Sequence, residues 1–127
     1  MELRKTIRFK LPEGKDRHSG SSNLTCSFDF DPNLKGSLTD LGAGGFGIEI
    51  HGLNGAQAET VKNLGTFMMT IYFKDDSMMA GVKSVWHRVL FENGNMFIKC
   101  GVAIDVISPE DRLKLTAIID TIRHGVQ

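Results

Sequence analysis

Hydrophobic and polar residues alternate with a period of two along most of the chain after residue 23. The first alternating segment places its apolar residues at Leu24, Cys26, Phe28 and Phe30. Further segments with strand-like patterns cover residues 35–41, 46–50, 67–73, 79–91 and 98–106. This period is typical of strands that bury one face. The pattern therefore predicts six strands, and Asn93-Gly94 suits a tight hairpin turn between the last two.

The period becomes helical after Ser108. Ser108 suits the N-cap of a helix and Pro109 suits its first position, while Gly125 is the expected stop. The apolar residues between them recur at helical spacing: Leu115, Ile118, Ile119, Ile122 and Val126. A second short helix is predicted within residues 56–63. The whole pattern indicates a mainly β protein, a small six-stranded antiparallel β-barrel followed by a C-terminal amphipathic α-helix.

The strand at 79–91 does not alternate strictly, which predicts a β-bulge or burial on both faces. Its apolar residues include Val82, Val85, Trp86 and Val89. A tryptophan in a small barrel usually lies in the core or under the helix, so we expect Trp86 to be there. Stacking of its indole on a bound base is the alternative.

The N-terminal residues differ from the rest of the chain. Residues 2–11 contain four basic side chains and one acidic side chain, a net charge of +3, and residues 12–22 are polar and rich in glycine and serine. Such a composition has no reason to fold alone. We therefore expect residues 1–22 to form a flexible basic segment with a linker, and residues 23–127 to form the barrel with its helix.

Composition excludes several classes of function. Hydrophobic residues make up 41% of the 127 residues, enough for one core. The 15 Lys and Arg residues equal the 15 Asp and Glu residues, whereas DNA- and RNA-coating proteins need a basic excess. No apolar run approaches the roughly 20 residues of a membrane span, and no signal peptide is visible. Cys26 and Cys100 are expected to be reduced core residues, so the expected compartment is the cytoplasm.

Residues 42–47 form a glycine cluster that satisfies the G-x-G-x-x-G pattern of dinucleotide folds. In those folds a helix follows the glycines. Here the strand Phe46-Gly47-Ile48-Glu49-Ile50 follows instead. The cluster therefore predicts a tight turn between two strands.

Two short motifs resemble those of a known family. The segment from Asp40 to Gly45 is similar to the [D/N]-x-S-x-x-G motif of PilZ domains, the bacterial receptors for cyclic di-GMP. The segment from Arg4 to Arg8 matches their R-x-x-x-R motif. Trp86 in a middle strand and the terminal helix also resemble the family, and the likeness covers nearly the whole chain. The serine of the family motif is Gly42 in this chain.

The resemblance implies a non-enzymatic receptor or adaptor that binds cyclic di-GMP through five residues: Arg4, Arg8, Asp40, Gly42 and Gly45. The N-terminal arginine segment would close over the barrel when the ligand binds, and the receptor would then act on an unidentified protein partner. Three alternatives remain open at this point. Arg4 and Arg8 could be a solvated tail, Arg17 could replace them as the cation, and Asp40 could accept only local backbone N–H bonds.

Other kinds of site have little support in the sequence. The four histidines show no metal-binding spacing, Gly-x-Ser-x-Gly is absent, and no cofactor or metal is expected. A small β-barrel enzyme or flavin-binding protein is a third hypothesis, which needs a pocket that the sequence does not indicate. The main alternative to the receptor is a degenerate PilZ-like domain that binds no nucleotide and acts through protein–protein contacts.

Overall fold

The structure is a computed structural model that describes residues 8–10 and 24–125, and for residues 8–10 it describes the backbone alone. Its elements in chain order are β1 Arg8–Lys10, β2 Thr25–Phe28, β3 Lys35–Gly42, β4 Gly45–His51, α1 Gly55–Lys62, β5 Thr66–Phe73, β6 Asp76–Glu92, β7 Asn95–Val106 and α2 Pro109–Gly125. The strands β2 to β7 and both helices were predicted from the sequence. β1 was not.

The strands from β2 to β7 close into a barrel. They are hydrogen-bonded in the order β3-β2-β5-β6-β7-β4, and β4 pairs back with β3, which closes the ring. Every neighbouring pair in the ring is antiparallel. This confirms the predicted six-stranded antiparallel barrel. β1 lies outside the closed ring and pairs with residues 40–42 of β3, beyond the stretch of β3 that β2 covers.

Inward-facing side chains fill the barrel as the alternation predicted. Cys26 and Cys100 are among them, both as free thiols, and burial raises the pKa of Cys26 to about 12 and of Cys100 to about 11. Because the thiolate is the reactive form, both cysteines serve as core residues at neutral pH. The paired methionines point to opposite sides, with Met69 and Met78 buried.

Helix α2 packs on the barrel and covers the start of β6, residues 76–80, which pair with β5 but lie beyond the end of β7. The Ser108 hydroxyl accepts a hydrogen bond from the Asp111 backbone N–H, which confirms the predicted N-cap. The side chain of Asp111 then accepts from the Met79 backbone N–H at 3.3 Å, and Lys114 donates to the Ser77 carbonyl at 3.1 Å. Both backbone groups would otherwise form an open sheet edge. Leu115, Ile118 and Ile122 follow Asp111 on the same face of the helix, and all three are buried.

The predicted turn, short helix and bulge are also confirmed. Asn93 and Gly94 have φ of 53° and 82°, as a two-residue hairpin turn requires. Helix α1 begins after a capping box between Asn54 and Gln57. The pairing of β6 with β7 shifts register twice, between Gly81 and Val82 and again before Trp86. Among the described residues, no helix has both the length and the apolarity to cross a membrane.

The expectation that Trp86 lies in the core is wrong. The second register shift falls between Ser84 and Trp86, so Val85 is an inserted residue. An inserted residue moves the following side chain to the other face of the sheet. Trp86 consequently points outward opposite Gly101, and 46% of its surface is exposed.

Candidate functional site

A bulge in β3 turns Asp40 to the outer face of the barrel. Leu38 pairs with Ile48 and Asp40 pairs with Gly47, which leaves Thr39 as the inserted residue. Leu38 and Leu41 are both buried, so the two polar residues between them face outward. A Cβ atom at Gly47 would lie 2.6 Å from Thr39 Oγ1 and 2.8 Å from Asp40 Oδ2. The carboxylate and the hydroxyl therefore lie directly over a backbone that only glycine leaves open.

Trp86 has the same relation to Gly101 on the neighbouring pair of strands. A Cβ atom at Gly101 would overlap the indole Nε1 and lie 2.7 Å from Cε2. The indole thus covers the backbone of β7 instead of standing away from the barrel. Asp40 on one side and Trp86 on the other both lean over glycines.

These residues form one row across four strands. Asp40 pairs with Gly47, Gly47 pairs with Gly101, and Gly101 pairs with Trp86. In the adjacent row Gly45 pairs with Ala103, so four small residues form a shallow floor between two walls. We call this surface the trough and define it by Asp40, Gly45, Gly47, Trp86, Gly101 and Ala103. Adjacent strands are about 4.8 Å apart, so Asp40 and Trp86 start from backbones roughly 14 Å apart and lean toward each other.

The chemistry of the trough suits a flat polar ring. A carboxylate accepts N–H groups at the edge of such a ring, and an indole stacks against its face. The small residues of the floor allow the ring to approach the backbone closely. No group of three or more potential metal ligands occurs in the part of the chain that the structure describes.

The glycine turn at one end of the trough is held by two other elements. The Ile104 backbone N–H donates to the Gly44 carbonyl at 2.9 Å, and Arg112 Nη1 of α2 donates to the Ala43 carbonyl at 2.9 Å. A Cβ atom at Gly45 would overlap the Val102 carbonyl oxygen. The left-handed φ values among the described glycines belong to Gly52 and Gly94. Gly42 therefore has a backbone that other residues can adopt.

The structure brings together most of the positions predicted from the sequence. Asp40 and Gly45 are part of the trough, and Gly42 lies beside it at the end of β3. The backbone of Arg8 pairs with Gly42, and that of Lys10 pairs with Asp40. Arg4 and Arg17 lie outside the described residues. The ligand-binding roles of these residues remain predictions.

Sequence reasoning missed Thr39 and left Trp86 in the wrong place. A usable signal for Thr39 was the three-residue spacing of Leu38 and Leu41, which strict alternation does not allow. For Trp86, the signal was the single glycine of β7, Gly101, because a glycine inside a strand often marks a close approach of another group. The first signal is visible in the sequence alone, whereas the second can be interpreted only when the partner strand is known.

Comparisons with known proteins give a fold and no close relative. No family model matches the chain, and no curated protein matches it. Among solved structures, the PilZ domain of YcgR from Escherichia coli matches 96% of this chain and 93% of its own, with a TM-score of 0.63 and 16% identity. The chain has the PilZ fold.

Two larger proteins share this PilZ fold. MrkH from K. pneumonia in its apo state matches 94% of the chain with a TM-score of 0.65, and PlzA from Borreliella burgdorferi matches 96% with a TM-score of 0.56, each at 9% identity. The chain spans about half the length of these two proteins, 51% and 52%. The YcgR domain and PlzA were solved with c-di-GMP.

Proposed function

We propose that the chain is a non-enzymatic receptor for cyclic di-GMP, which it binds on the outer face of its barrel. The observation that carries this proposal is the trough, where Asp40 and Trp86 lean toward each other over Gly47 and Gly101. The PilZ fold of the chain supports it, since structures of that fold include complexes with c-di-GMP.

Each residue of the site has a chemical task in this proposal. The Asp40 carboxylate accepts the N1–H and N2–H₂ groups of one guanine, and the Trp86 indole stacks on a base. Arg4 and Arg8 grip a phosphate or the O6/N7 edge of guanine with paired N–H bonds. Gly42 and Gly45 keep the turn close to the ligand. The backbone of position 8 pairs with Gly42, which puts the arginine segment within reach of the trough, and in this proposal the segment closes over the trough when the ligand binds.

The cellular role that we propose is an adaptor that changes the behaviour of a protein partner when cyclic di-GMP binds. Free thiols at Cys26 and Cys100 suit a reducing compartment, so the cytoplasm is the proposed location. The alternative is a degenerate domain that binds no nucleotide and uses only protein contacts. The lost hydroxyl at Gly42 is the observation that favours this alternative.

A calorimetric titration of the purified chain with cyclic di-GMP separates the two. We expect saturable binding with one ligand per chain. A second ligand molecule would need a further cation beside Arg4, and the residue before Arg4 is the uncharged Leu3. The chain has one tryptophan, so quenching of its fluorescence should follow the same binding curve if the base stacks on Trp86. A folded chain that gives neither heat nor quenching would leave the protein-contact alternative. An end point of two ligands per chain would refute the proposed stoichiometry.

The variant Gly42→Ser restores the serine of the family motif. Gly42 does not have a left-handed φ, so serine costs little backbone strain there. We expect cyclic di-GMP to bind roughly three- to tenfold more tightly, the equivalent of one modest hydrogen bond. The measurement is the same titration, together with a thermal melt. A lowered melting temperature with weaker binding would contradict the prediction and would mean that position 42 has no room for a side chain.

A further inference from the structure

Arg88 lies on the same outer face as the trough, one row away from Trp86. It pairs with Lys99 of β7, which pairs with Glu49 of β4. This row runs directly beside the row of Trp86, Gly101 and Gly47. Residues two apart on a strand point to the same side, so Arg88 and Trp86 share a face.

The other charged groups of that row are already engaged. Glu49 contacts the ammonium of Lys99 at 3.5 Å and His51 Nε2 at 2.9 Å, and the His51 ring stacks on Phe97. Arg88 is exposed, and its side chain makes no hydrogen bond or ion pair with any residue in the described ranges. It is therefore a cation that the fold itself does not use.

A nucleotide in the trough needs such a cation. Cyclic di-GMP carries two negative phosphates, while the described walls of the trough supply a carboxylate, Asp40, and a neutral indole. Lys99 shares its charge with Glu49. An unengaged guanidinium beside the indole can grip a phosphate oxygen pair in the geometry that arginine favours. Lys83 borders the trough on its other side, where it pairs with Ala103, but its ammonium is a point charge without the paired N–H groups of a guanidinium.

We propose that Arg88 is a further ligand-binding residue, which holds a phosphate of cyclic di-GMP while a guanine of the same molecule lies in the trough against Trp86. This inference rests on the proposed function and extends its site to a residue outside both sequence motifs.

The test compares four proteins in cyclic di-GMP titrations at several salt concentrations: the parent chain, Arg88→Gln, Arg88→Lys and the control Lys35→Gln, whose exposed lysine begins β3 at the end away from Asp40. Arg88→Gln should weaken binding about tenfold or more, as expected for one charge-assisted contact. Its affinity should also fall less steeply with added salt than that of the parent, because one ionic contact is gone. Lys35→Gln should bind within about twofold of the parent, and Arg88→Lys should recover part of the loss. Thermal melts of all variants should coincide, since Arg88 has no partner in the described fold.

The outcomes distinguish a failure of this inference from a failure of the receptor proposal on which it rests. If the parent binds and Arg88→Gln binds equally well, Arg88 is not a ligand residue and the receptor proposal stands. If Lys35→Gln loses as much affinity as Arg88→Gln, the effect is general surface charge and the inference is overturned. A folded parent that does not bind cyclic di-GMP overturns both.

Discussion

Replacing Gly45 by alanine is expected to destabilise the barrel strongly. The new Cβ atom would overlap the Val102 carbonyl oxygen and lie 3.1 Å from Ala103 Cα. Both obstacles are backbone atoms of β7, so no side-chain rotation can relieve them. The strands β4 and β7 must separate where they pair. We expect a loss of about 2 kcal/mol or more in the free energy of unfolding, within the usual range for overpacking.

The measurement is urea or thermal unfolding followed by circular dichroism, with Gly65→Ala as the matched control. A Cβ atom at Gly65 meets nothing within 4 Å, so the control should unfold like the parent. For a domain of this size the expected loss in Gly45→Ala corresponds to a fall in melting temperature of roughly 5–10 °C. An unchanged melt would mean that β4 and β7 do not approach each other as closely as described.

The fold was largely predictable from the sequence because its determinants are local. Alternation marked β2 to β7, Asn93-Gly94 marked the last hairpin, and Ser108-Pro109 marked the start of α2. Each of these signals acts through backbone geometry within a few residues. A closed barrel then follows, since it leaves few unpaired edges on strands of this length.

The position of Trp86 was not predictable in the same way. Its direction depends on the inserted Val85 in β6, and a shift of one residue reverses every side chain beyond it. The sequence indicated that a bulge existed between 79 and 91 but not at which residue. Likewise β1 is only three residues long, too short to show a period, and its pairing with β3 is a long-range contact.

The candidate site, like the fold, was predictable from the sequence only in part. Asp40, Gly42 and Gly45 could be selected from a motif because they are close in the chain. The partnership of Asp40 with Trp86 could not, since it depends on the register of four strands, with Gly47 and Gly101 between the two walls. Gly47 and Gly101 lie in different strands, and each alone resembles a glycine that merely weakens its strand. Only the pairing of β4 with β7 shows that the two are neighbours. The trough is therefore a property of the sheet and not of any one segment.

Replacing Asp40 by alanine is expected to weaken cyclic di-GMP binding tenfold or more. The carboxylate provides charge-assisted acceptors for guanine, each worth about 1.5–3 kcal/mol. Asp40→Asn is the sharper variant, because it keeps the shape of the side chain over Gly47 and exchanges one acceptor oxygen for a donor. The same loss is expected for Arg8→Ala, whose backbone position opposes Gly42.

The matched control is Asp75→Ala, which removes an exposed carboxylate from the turn between β5 and β6. Removal of a negative charge far from the trough should leave the affinity unchanged or slightly improved, since the ligand is a dianion. Calorimetric titration of the parent, both Asp40 variants and the control gives the comparison, and circular dichroism confirms that each is folded. Folded Asp40 variants that bind like the parent would show that guanine is not held at this carboxylate. The barrel and its PilZ fold would stand, and the ligand site would have to lie elsewhere on its surface.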